Sequence, residues 1–124
     1  MRLNLRNTIA MLPILAICAS VTGAAQERPE SLSLDIVSAS RNLNSSEQLQ
    51  VDTFTRYWTE KLANDDLSDS LEARNELVKA TQLPGTTGVF LRAYSQSILE
   101  KIQPIVQGDD AMRAENAMRV AAFI

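Results

Sequence analysis

From position 45 onward, apolar side chains recur with a helical rhythm. Val51, Phe54, Trp58 and Leu62 follow one another at steps of three, four and four, which lays them along one stripe of a helix. Ser45, with Gln48 three residues later, has the spacing of a capping box that would open this helix, and Asn64-Asp65-Asp66 would end it. A second helix is predicted over about 68–82, with Leu71, Leu77, Val78 and Ala80 on its apolar side and Leu83-Pro84-Gly85 as its stop. Thr86 or Thr87 then caps a third helix reaching about Val106, where Pro104 should kink or terminate it by removing a backbone donor. After Gln107-Gly108, Asp109 or Asp110 opens a fourth helix that is expected to be still running at Ile124.

The pattern before position 45 is different. Residues 26–44 contain Pro29, several serines and a short alternation of Leu32, Leu34 and Ile36; a lone strand would have nothing to pair with, so they read as an extended linker in which any helix is short. Residues 1–25 have the order of a secretory signal peptide: Arg2 and Arg6, an apolar run over 9–21, then Gly23-Ala24-Ala25 before the expected cut. The run is too short to span a bilayer and is interrupted by Pro13. Leu15-Ala16-Ile17-Cys18 resembles a bacterial lipoprotein box, but Ile17 stands where such boxes carry Gly or Ala, so Cys18 reads as an ordinary apolar-segment cysteine. The expected product is exported, to the periplasm or outside the cell, with no membrane segment once the signal is removed. It would have 99 residues and no cysteine, and would be held together by its core alone.

Sliding the chain along itself shows an internal repeat. At a shift of 40, Leu91, Tyr94, Ile98 and Ile102 fall on Val51, Phe54, Trp58 and Leu62, and Glu100-Lys101 on Glu60-Lys61. At a shift of 41, Met112, Ala114, Asn116, Met118 and Ala121 fall on Leu71, Ala73, Asn75, Leu77 and Ala80. The fold expected is therefore all-α: a domain over 45–124 made of two antiparallel helical hairpins, 45–83 and 86–124. A period near 40 with two helices per unit resembles the HEAT and armadillo class of α-solenoids. Within the fourth helix, Asp109, Met112, Arg113, Ala117 and Val120 occupy the Asp, Val, Arg, Ala and Leu places of the HEAT second-helix pattern, while Asp110, Asn116 and Arg119 depart from it. The first hairpin has Ser68 and Glu72 where Asp and Arg would stand. The resemblance implies hairpins stacked as a solenoid-like array. Two units fall short of the roughly three that such arrays usually need, and Phe123 and Ile124 are apolar. The expectation is thus a longer solenoid of which this is the N-terminal part, or a partner on which those two residues dock.

Charge and chemistry narrow the function. Residues 26–124 carry 10 basic and 15 acidic side chains, a net of −5 with no Lys/Arg cluster, which argues against nucleic acid as a partner. The chain has no histidine, so histidine acid/base chemistry and histidine metal sites are excluded. Gly85-Thr86-Thr87-Gly88 precedes a helix but lacks the lysine of a phosphate-binding loop and reads as a turn. The aspartates of Asn64-Asp65-Asp66, Asp69 and Asp109-Asp110 lack the order of a calcium loop and suit helix caps. Trp58 and Tyr94 read as core, Tyr57 as partly exposed, and Asn75 and Asn116 as amides bonding loop backbone between helices. No catalytic, cofactor or metal residue is assigned and the chain is not expected to be an enzyme. The reading is an exported helical-repeat module presenting a surface to another protein; the alternative is a self-contained periplasmic helical bundle acting as a small chaperone or ligand binder.

Overall fold

The computed structural model describes residues 26–124, so the signal peptide read at 1–25, Cys18 included, lies outside the described residues. Among these residues the elements are α1 (Leu34–Val37), α2 (Ser45–Leu62), α3 (Leu67–Thr81), α4 (Gly88–Val106) and α5 (Ala111–Ala121), with no strand. The chain is all-α.

Each of the four longer helices starts on a side-chain cap, which satisfies amide donors that a helix leaves free at its first turn. For α2 the cap is Asn44, one residue before the expected Ser45: its Oδ1 accepts from the Glu47 amide at 3.0 Å, and the Glu47 carboxylate accepts from the Asn44 amide at 2.8 Å. Both registers have capping-box spacing. Arg41 decides between them by gripping both Glu47 oxygens, at 2.7 and 2.8 Å, while Gln48 instead donates to the Leu43 carbonyl. Asp66, Thr87 and Asp110 cap α3, α4 and α5. Gly85 supplies the positive φ, +80°, of the turn between α3 and α4. Pro104 sits in the last turn of α4, two residues before its end at Val106, so the proline neither stops the helix at once nor leaves room for another turn.

Helices α2 and α3 form one hairpin and α4 and α5 the next; α2 also packs along α4, and α3 against α5. The α2–α4 contact is aromatic. Phe54 lies 6.3 Å from the Trp58 ring and 6.4 Å from Tyr94, and Tyr94 stacks on Phe90 at 5.2 Å. The Tyr94 hydroxyl donates to the Leu77 carbonyl at 2.8 Å, tying α4 to α3.

The repeat holds at 40 and not at 41. Leu77 and Ala80 of α3 and their counterparts 40 places on, Ala117 and Val120, are all buried, whereas Met118, matched to Leu77 at 41, is 52% exposed. Matching by residue type pairs positions about 100° apart on the wheel, and the small Ala117 is what faces inward. Helix α5 also stops at Ala121 instead of running to Ile124, whose carbonyl accepts from the Ser95 hydroxyl at 3.2 Å.

Residues 26–44, expected to be an extended linker in which any helix is short, contain the four-residue α1 and lie on the helices. Leu32, Ile36, Val37, Ala39 and Leu43 are buried in the common core. The Arg28 guanidinium sits 5.0 Å over the Trp58 ring and pairs with Glu72 at 2.8 Å. Thr87 closes the other end, donating its amide to Val37 at 3.1 Å and its hydroxyl to the Ala39 carbonyl at 2.6 Å. This segment supplies apolar area that the four long helices lack, which is why it packs despite its serines.

Candidate interaction surface

Inward-facing residues of α4 and α5 close most of the seam between them, but the outer lip of that seam is open. Leu99 and Val106 on α4 and Met118 and Ala121 on α5 line an apolar groove of about 350 Å³, with Gln103 and Gln107 at its edge. Leu99 is 49% exposed, although it neighbours the fully buried Ile98. Its spacing to Val106, and that of Met118 to Ala121, keep these side chains on one face of each helix. Phe123 is 65% exposed just beyond α5, while Ile124 is partly buried against the core. A ridge of apolar groups flanked by amides is the chemistry that receives another apolar side chain row.

A second constellation bridges α2 and α4. Lys101 Nζ donates to Asp52 Oδ1 at 2.6 Å and to Ser97 Oγ at 2.9 Å, and Ser97 Oγ lies 2.7 Å from the Thr55 hydroxyl. Arg56 pairs with the other Asp52 oxygen. The hydrogen bond from Lys101 holds the Asp52 carboxyl below its ordinary range, with its charge and that of Arg56 adding to the effect and partial burial opposing it. Ser97 and Lys101 have the makings of a nucleophile and base, yet Lys101 here acts as a donor to a carboxylate as well as to Ser97. The arrangement clamps two helices together. Its halves lie on different helices, so its local trace in the sequence is no more than Ser97 and Lys101 one turn apart.

The residues weighed from sequence fall as follows. Asp66 and Asp110 are caps, Asp69 accepts from Lys61 at 3.1 Å and from Asn64 at 2.9 Å, and Asp65 pairs with Arg113. Among the described residues no group of three or more acidic or cysteine side chains is placed to hold a metal ion. Trp58 and Tyr94 are core, and burial pushes the Tyr94 phenol well above its ordinary range, with the Glu76 charge adding to it. Tyr57, expected to be partly exposed, is only 8% exposed: it meets Trp58 edge-on at 4.9 Å and lies under Lys61. Asn116 donates to the Ser70 hydroxyl of α3 at 2.9 Å, not to loop backbone, and Asn75 is exposed.

No helix among the described residues is long and apolar enough to cross a membrane. Comparison with family models, with curated proteins and with solved structures found no match.

Proposed function

We propose that this chain is an exported helical-repeat interaction module, in which the α4–α5 groove takes an amphipathic helix of another protein. The single observation that carries this reading is the apolar groove between two helices in which exposed Leu99 and Met118 stand beside half-buried Val106 and Ala121, which suits a helix laid in a groove. The pairing of hairpins with burial repeating at 40 supports stacking of the HEAT kind, in which the open side of the last hairpin is where the next helical layer, from a partner or from the same chain, would sit. The charged start, apolar run and small residues of 1–25 support export.

The test is a photocrosslinking residue placed at Leu99 or Met118 in the producing cell, with Glu60 on the exposed side of α2 as control. One discrete adduct at 99 and at 118, absent at 60, with the adduct at 99 lost on Met118→Glu, is the expected result. A folded protein whose adducts at 99 and 118 do not differ from those at 60 would overturn the reading. Export is tested separately by N-terminal sequencing of the secreted protein, which should begin at Gln26.

A further inference from the structure

A cleft of about 420 Å³, separate from the apolar groove, opens between the start of α2, the residues just before it and the N-terminal half of α4. Leu43 and Val51 are buried beneath it. Its walls are polar: Arg92 and Glu100 come from α4, with Gln96 between them and Gln48 opposite. Arg92 has no carboxylate partner among the described residues. Gln48 spends its Nε2 on the Leu43 carbonyl at 2.8 Å, and Gln96 spends its own on Glu100 at 3.2 Å, which leaves both amide oxygens open as acceptors. A cation, an anion and two free acceptors thus surround an apolar floor, in a volume within the usual range for small ligands.

Spacing selects among ligands. Arg92 and Glu100 stand two turns apart on α4, about 12 Å along its axis. A free amino acid is too short to reach both, whereas an extended chain advances about 3.3–3.6 Å per residue, so three to four residues would span them. We infer that this cleft binds a short peptide with free ends, its terminal carboxylate on Arg92, its ammonium on Glu100, and its amide N–H groups on the side-chain oxygens of Gln48 and Gln96. Side-chain identity matters little, since the floor asks only for an apolar body. The site is independent of the α4–α5 groove and does not rest on that reading.

Titration of the full chain with tetraalanine, followed by amide NMR shifts and by calorimetry, should give saturable binding with the shifts concentrated in residues 42–51 and 89–100. Acetylating or amidating the peptide, or substituting Arg92→Glu or Glu100→Arg, should each weaken binding at least about tenfold, and alanine itself should bind at least about tenfold worse. The double charge swap, Arg92→Glu with Glu100→Arg, should restore binding, because the peptide can lie the other way round. Circular dichroism of each variant separates lost binding from lost fold, and the swap keeps the test sharp even if one single variant is unstable. Absence of saturable shifts at millimolar peptide, equal affinity for alanine, or indifference to blocked ends would overturn the inference.

Discussion

Helix α2 and helix α5 are both joined to α4, but by different means. Seven α2 residues are buried, three of them aromatic, and the Lys101–Asp52–Ser97–Thr55 clamp adds polar bonds across the α2–α4 contact. Helix α5 has only Ala117 and Val120 fully buried, and its outer residues Met112 and Met118 remain exposed. The same chain thus builds one contact that fixes the fold and another that leaves apolar surface to spare. Tight packing consumes the apolar face of a helix, while small inward residues bring the helix close and leave its larger side chains outside.

The sharpest way to break that comparison is to truncate one anchor on each side. Trp58→Ala should cost about 3–5 kcal/mol, a large share of what a domain of this size possesses. Val120→Ala removes two methyl groups from α5 and should cost about 2 kcal/mol. Urea denaturation of both variants checks this, and equal losses would show α5 to be as firmly held as α2. Lys101→Met takes the cation from the clamp and should cost about 1 kcal/mol, because Asp52 is partly open to water; a loss as large as that of Trp58→Ala would make the clamp, not the aromatic packing, the stronger link.

Acid tests the junction before α2. The Arg41 side chain and then the Asn44 amide hold the Glu47 carboxyl down from 4.5 to about 2. A carboxyl lowered in the folded state stabilises fully above its unfolded pKa, and that contribution disappears as pH falls from about 4.5 to about 2. Unfolding measured across this window should show stability falling with pH, and Arg41→Ala should flatten the slope. An unchanged slope would mean that the cap does not draw on Arg41.

What could be read from sequence, and what could not, follows the range of the interactions. Val51, Phe54, Trp58 and Leu62 announce a helix because periodicity is a local property, and the clusters Asn64-Asp65-Asp66, Thr86-Thr87 and Asp109-Asp110 announce caps for the same reason without saying which member caps. A single apolar stripe leaves Tyr57 partly exposed, whereas α2 is contacted by α3, α4 and α5 and buries a wide arc that takes in Tyr57 as well as Thr55 and Thr59. The segment before α2 carries only the short alternation of Leu32, Leu34 and Ile36 and no helical period, yet Ile36, Val37 and Leu43 fill gaps that exist only once the helices are assembled. The Asp52–Lys101 bridge and the peptide-sized cleft are likewise products of assembly, joining residues roughly half the domain apart in the chain.

The smallest expected effect on stability belongs to the open side of α5, and for that reason it is the most telling. Met118 is half exposed and one position along from the fully buried Ala117. Met118→Glu should therefore change unfolding free energy by less than about 0.5 kcal/mol, as surface substitutions usually do. The same carboxylate would meet any apolar side chain seated in the groove and would have to be desolvated there, so it should abolish crosslinking at Leu99. If the substitution instead destabilises the domain as much as Val120→Ala, then Met118 is spent on holding α5 in place, and the apolar lip of the α4–α5 seam is core that merely touches water.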